Sequence, residues 1–154
     1  MCGIDSRVFR ISFTGELSFE VNVPSRYGRF VWEQFMHHGK KYNITPYGTE
    51  TMHVLRAEKG FIIVGQDTDG SVTPMDMNMD WIVSKKKQDF LGKRSFTRSD
   101  TLRSDRKKFV GLLVNDKKTV LPEGSHIVEK ALKQPPMKML GHVTSSYYSP
   151  ILGH

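Results

Sequence analysis

The sequence predicts an α+β chain: a β-hairpin with helices packed on it, then a small antiparallel β-barrel, with the fold incomplete at both termini. Three observations carry this. Apolar and polar residues alternate with period two from Phe9 to Val23, the pattern of half-buried strands. Two stretches, 25–39 and 49–60, then carry apolar residues at helical spacing. From Lys107 onward, short apolar runs recur at roughly ten-residue spacing between Gly and Pro, as in small barrels.

The hairpin comes first. Phe9, Ile11 and Phe13 alternate with Arg10 and Ser12, and Leu17, Phe19, Val21 and Val23 with Ser18, Glu20 and Asn22. Thr14-Gly15-Glu16 reads as a short turn in which Gly15 is free to take positive φ. Pairing of the strands is expected to gather Arg10, Ser12, Ser18 and Glu20 on one polar face.

Pro24-Ser25 opens the first helix, with Ser25 as N-cap and Gly39 as its stop. Tyr27, Phe30, Val31 and Phe35 form one stripe, widened by Trp32 and Met36, which should pack on the hairpin's apolar face. His37 and His38 are adjacent, so they diverge and read as dipole-compensating surface groups. Thr49 is expected to cap a second helix that Gly60 ends, with Met52, Val54 and Leu55 on its apolar side. Phe61–Val64 is a short apolar run, read as a buried strand.

Asp67-Thr68-Asp69-Gly70 resembles the start of a calcium loop, but the remaining oxygen ligands do not follow, so it reads as a turn. Met75, Met77 and Met79 read as core fillers. Trp81-Ile82-Val83 reads as a strand, and Phe90–Phe96 as a turn into a short helix. Phe109–Val114, His126–Val128 and Lys138–Ser145 are read as barrel strands. The last segment, Tyr147–His154, is turn-like with no closing strand, so the barrel is expected to lack its last strand. Composition shifts near residues 84–92, which divides the chain into domains 1–88 and 89–154.

The bulk numbers limit the classes of function. A chain of 154 residues that is 38% apolar and 10% aromatic can hold a packed core. No apolar run reaches the roughly 18 residues of a membrane span, and the N-terminus has no signal-peptide pattern. The single cysteine, Cys2, forms no internal disulfide and fits a cytoplasmic protein. The net charge of +7 is concentrated: residues 85–118 hold twelve Lys and Arg against four Asp, a net +8. Aromatic residues in that segment are too sparse for a single-strand nucleic-acid binder, so it reads as a solvated face or a subunit contact.

No nucleophile elbow, phosphate loop or metal-ligand quartet is present. His53 and His142 read as structural, and no catalytic or metal-binding residue emerges. By pattern alone Glu20 is an exposed strand residue.

The landmarks become specific when taken together. Phe13-Thr14-Gly15-Glu16-Leu17-Ser18-Phe19-Glu20-Val21-Asn22-Val23-Pro24 resembles the T-G-E-x-x-F/Y-E signature of the glycine-cleavage T-protein (aminomethyltransferase) family. Leu55-Arg56-Ala57-Glu58-Lys59-Gly60 resembles its L-R-x-E-x-G. Gly65-Gln66-Asp67, Thr73-Pro74, Trp81, Phe90-Leu91-Gly92-Lys93 and Gly141-His142-Val143-Thr144-Ser145 follow in the family's order. Other details are most similar to the C-terminal folate-binding region of sarcosine oxidase α subunits. They are Gly48-Thr49-Glu50, Met52–Gly60, Asp67–Gly70 and Ser84-Lys85-Lys86-Lys87.

The resemblance implies a part of a sarcosine oxidase-like oxidoreductase. In it, tetrahydrofolate captures the one-carbon unit from sarcosine demethylation as 5,10-methylenetetrahydrofolate. Flavin and NAD sites would lie outside this chain, and the partners would be folate and other oxidase subunits, not nucleic acid or a membrane. The family's pterin-binding glutamate falls on Glu20. A carboxylate there can accept two parallel N–H bonds from the pterin edge. Phe61 and Trp81 fall on aromatic positions that line the folate site. The Arg-Asp pair that T-proteins carry on the second helix is replaced by Met52-His53. The T-protein catalytic aspartate has no counterpart, so the chain alone is expected to be inactive. Lys85–Lys87 and Arg106–Lys108 gain a candidate role in attracting the folate glutamate tail or an acidic face of another subunit. Two alternatives stand beside this: a stand-alone aminomethyltransferase, and a non-catalytic basic binding module.

Overall fold

Alternation in the N-terminal stretch does produce an antiparallel pair, but a short one. In the computed structural model, which describes residues 1–154, β1 spans Arg7–Phe9 and β2 spans Glu20–Asn22. The register sets Arg7 opposite Asn22, Val8 opposite Val21 and Phe9 opposite Glu20. Pairing stops there, and residues 10–19 form a loop in place of a three-residue turn. The loop leaves the ladder because it folds back on a helix. Thr14 is buried, the Phe13 ring lies 6.3 Å from that of His53, and Gly15, at φ +81°, packs against Lys59.

The first helix begins as a 3-10 turn, Ser25–Tyr27, and becomes α1 over Gly28–Gly39. Ser25 makes no side-chain cap. Val31 is the one buried member of the expected stripe, while Phe30, Trp32 and Phe35 are exposed. The α-helix ends at Gly39, but Gly39 keeps a right-handed φ of −77° and is not a left-handed cap. The chain continues through a 3-10 turn, Lys40–Tyr42, and reverses at Asn43, whose φ is +57°. Gly39 matters for a steric reason: a Cβ there would lie 2.6 Å from the Ile44 side chain.

Helix α2 spans Thr49–Glu58, and its N-cap is Gly48, not Thr49. It closes as the sequence anticipates, at Gly60 with φ +70°. The Phe61 N–H donates to the Arg56 carbonyl at 2.8 Å and the Gly60 N–H to the Ala57 carbonyl at 3.0 Å, the paired bonds of a Schellman stop.

The chain folds as two units, Met1–Phe61 and Ile62–His154. The division lies ahead of the composition shift at 84–92. The second unit holds one antiparallel sheet, β3 (His126–Val128) with β4 (Met139–His142), bulged between Ile127 and Val128. The fold class is therefore α+β, and these residues do not close a barrel.

Three expected strands take other conformations. After Phe61, the Ile63 N–H donates to the Asp67 carboxylate at 2.8 Å, which replaces a ladder partner and makes a turn. Residues Asp80–Ile82 form a 3-10 turn in which the Ile82 and Val83 N–H groups bond three residues back. Phe109 is tied to a loop, its N–H donating to the Asp76 carbonyl and its carbonyl accepting from Asn78 Nδ2, and Phe109–Val114 pairs with no strand. The short helix expected at 90–96 is a 3-10 turn over Lys93–Thr97.

Met77 is the buried apolar residue of the second unit, as the methionine pattern suggests, while Met75 is partly exposed. No helix is long and apolar enough to cross a membrane.

Candidate functional site

Glu20 is the first residue of β2 and is exposed. Its position on a paired strand holds it in place, as a binding carboxylate requires. The register corrects its expected surroundings. Residues directly opposite in an antiparallel pair share a face, so Glu20 stands beside Phe9, with Arg7 and Asn22 further along that face. Arg10, Ser12 and Ser18 instead line a shallow depression of about 290 Å³ at the loop, together with Glu16 and Leu17. The Ser12 hydroxyl oxygen is buried there without a hydrogen-bond partner.

The hairpin's second acidic residue has a different fate. Glu16 is paired with Lys59 at 3.1 Å, both side chains about half exposed. Glu20 has no such cation, so its carboxylate faces solvent with its acceptor sites free. That is the donor-seeking state that a ligand with an N–H edge would fit.

Phe61 follows the α2 stop, in the first unit with Glu20, and is 43% exposed. The Arg56 Nη1 donates to its carbonyl at 3.1 Å. Trp81 lies on the Asp80–Ile82 turn of the second unit and is 74% exposed. Both rings are therefore open to solvent.

Two charged centres were not singled out from sequence. Arg56, 1% exposed, is the most buried large side chain in the chain. The only signal for it is its place in the Leu55-Arg56-Ala57-Glu58 motif. In the second unit Asp76 is 4% exposed and accepts from Arg106, Thr73 and Lys108. The Arg106 hydrogen bonds hold the Asp76 carboxyl well below the usual carboxylate range, against the opposing effect of burial. Nothing in the spacing of residues 76 and 106 foretells this pair.

The calcium-like stretch is occupied by protein contacts. Asp67 accepts from Ile63 N–H and from the Ser145 hydroxyl at 2.7 Å. Asp69 accepts from the Ser71 N–H and hydroxyl. No group of three or more acidic, His or Cys side chains is arranged to hold a metal. The basic segment is also partly neutralised within the chain. Arg103 pairs with Asp105 and Asp100, and Arg106 with Asp76 and Asp100.

Comparison with known proteins matches these features to a family. Residues 1–87 match the model described as the GCVT N-terminal domain, and residues 107–154 that of the glycine cleavage T-protein C-terminal barrel domain. The chain belongs to the glycine-cleavage T-protein family. Among curated relatives it is 58% identical over 153 residues to sarcosine oxidase subunit alpha of Corynebacterium sp. (strain P-1), covering 98% of this chain and 16% of the relative. The corresponding subunit of Rhizobium meliloti (strain 1021) is 39% identical, over 95% of this chain and 15% of the relative. An aminomethyltransferase of Thermoanaerobacter sp. (strain X514) is 30% identical, over 99% of this chain and 39% of the relative. The chain thus spans about a sixth of the oxidase subunits and about two-fifths of the aminomethyltransferase.

Proposed function

We propose that this chain is the tetrahydrofolate-binding part of a sarcosine oxidase α subunit. It would serve to capture the one-carbon unit released from sarcosine as 5,10-methylenetetrahydrofolate. The observation that carries the proposal is Glu20, an exposed carboxylate on a paired strand with no cation of its own, where the family signature places it. Identities of 58% and 39% to oxidase α subunits, against 30–34% to aminomethyltransferases, favour the oxidase over the transferase. So does Met52-His53 in place of the T-protein's Arg-Asp pair.

Each residue would have a defined role. Glu20 would accept the 2-amino and N3 hydrogens of the pterin as a charge-assisted pair. Phe61 and Trp81 would cover apolar parts of the folate. Tetrahydrofolate, when bound, supplies the nitrogens that accept the one-carbon unit. The oxidation itself would belong to flavin and NAD sites elsewhere in the enzyme, with other oxidase subunits as partners. The chain by itself would have no turnover. Its functional division would run 1–88 for the folate-binding part and 89–154 for the barrel part, and its setting would be the cytoplasm.

The basic module is the reading in the other class. It is weakened because Arg103, Arg106 and Lys108 are engaged by aspartates of the chain itself.

The test is a titration of tetrahydrofolate into the intact protein that bears these residues. Glu20→Gln is expected to weaken binding by about 1.5–3 kcal/mol, the range for hydrogen bonds to a charged group. An unchanged dissociation constant removes Glu20 from the site.

A further inference from the structure

We propose that Phe9 is a ligand-binding residue: its ring is the platform on which the ligand's flat heterocycle lies while Glu20 takes that ring's N–H edge. The inference rests on the assignment of Glu20 to the pterin and adds a residue to that site.

The register is the first argument. Phe9 and Glu20 are the last directly opposed pair of the β1–β2 ladder, so their side chains stand on one face with Cβ atoms about 5 Å apart. Val8 and Val21, the next pair, stand on the other face. Of the three candidate aromatic residues, Phe9 is the one that strand pairing fixes beside the carboxylate. Phe61 follows a helix end, and Trp81 belongs to the other unit.

Availability is the second. Phe9 is 50% exposed, and its ring stacks on no other ring of the chain, whereas Phe13 is already held against His53. Beyond Phe9 the chain leaves the ladder, so no further strand pair stands beside Phe9 and Glu20 on that side.

The chemistry of the pair selects a ligand class. A carboxylate accepts a pair of N–H groups in the plane of a ring, and a phenyl face adds offset stacking, worth about two- to tenfold in affinity. Together they suit a planar nitrogen heterocycle with two donors on one edge. A benzoyl ring without such an edge engages only half of the pair.

The test uses the intact protein with three probes: tetrahydrofolate, a tetrahydropterin lacking the tail, and p-aminobenzoylglutamate lacking the pterin. Phe9→Leu is expected to weaken the first two by about two- to tenfold and to leave the third unchanged, while Phe9→Tyr keeps full affinity. Phe9→Met, which keeps bulk without a ring, should behave as Phe9→Leu and guards against a fold defect. Glu20→Gln weakening tetrahydrofolate while Phe9→Leu and Phe9→Met do not overturns the role of Phe9 and leaves that of Glu20. No effect from any of these variants overturns both. Equal losses for all three probes, or a loss in Phe9→Tyr as large as in Phe9→Leu, also overturn the proposal.

Discussion

Arg106 grips Asp76 across thirty residues of sequence. Its Nη2 lies 2.6 Å from Asp76 Oδ2, and its Nε lies 3.1 Å from each carboxylate oxygen. Both side chains are largely shielded, at 13% and 5% exposure. The same guanidinium donates to the Ser71 carbonyl and to Asp100, so one side chain gathers the 71–76 and 100–109 loops.

Removing that guanidinium takes the main cation from a buried carboxylate and leaves it the Thr73 donors and Lys108 at 3.5 Å. Arg106→Ala is expected to lower stability by about 3 kcal/mol, the usual result of breaking a shielded pair from one side. Adding Asp76→Asn should cost much less than a second independent loss, because the two residues share one interaction. Urea unfolding of the two single variants and the double variant checks this. Strict additivity would show that the pair is not coupled.

The pair also sets an acid limit. The Asp76 carboxyl is depressed in the folded chain, chiefly by its hydrogen bond from Arg106, with the Thr73 N–H and hydroxyl adding to it. A depressed carboxyl contributes stability that is present above the ordinary aspartate value, about pH 4, and is lost as pH falls further. The urea midpoint should therefore change little from this group between pH 7 and 5 and decline below about pH 4. In Arg106→Ala the decline should be shallower. Equal slopes in the two proteins would count against Asp76 as a source of the acid sensitivity.

Ser145 fastens the chain after β4 to the 63–67 turn. Its hydroxyl donates to Asp67 at 2.7 Å and accepts from Gln66 Nε2 at 3.2 Å. The same amide lies 2.9 Å from Glu123. Ser145→Ala is expected to cost about 1–3 kcal/mol, since a buried carboxylate loses a donor. Ser145→Thr, which keeps the hydroxyl, should recover most of it. Thermal unfolding of both variants distinguishes the hydrogen bond from a simple loss of volume.

Gly15 is fixed from two directions. Its φ of +81° costs a residue with a Cβ about 1–2 kcal/mol. A Cβ would also fall 2.7 Å from Lys59 Cγ and 2.9 Å from Lys59 Cβ, near the base of that side chain. Gly15→Ala should therefore destabilise the first unit by at least the conformational amount and displace Lys59 from Glu16. The lost ion pair is exposed and adds little. A melting temperature equal to that of the unaltered chain would mean that the loop tolerates the change.

The helices and the hairpin were legible in the sequence because their signals are local. The stripe around Val31, the stop at Gly60 and the alternation around Val21 each repeat within a turn or a residue pair. The false strands share a cause. Phe61–Val64, Trp81–Val83 and Phe109–Val114 are apolar and β-prone, but a strand forms only where a partner supplies hydrogen bonds. At Ile63 the Asp67 carboxylate supplies one instead, and at Phe109 the Asp76–Asn78 loop does. The candidate site was legible only in part. Glu20 came from its signature, whereas its neighbour came from register, which slips a whole face for each residue of shift.

The sequence by itself determined the α+β class, the positions of two helices and a hairpin, and the motifs that place the chain in its family. These depend on residue type at short spacing, where periodicity and turn chemistry act directly. Tertiary structure decided where the strands end and that Phe9, not Arg10, stands beside Glu20. It also decided that Arg56 and Asp76 carry charge into the interior. Those outcomes depend on which distant groups meet, and spacing along the chain carries no record of a guanidinium thirty residues away from the carboxylate it neutralises.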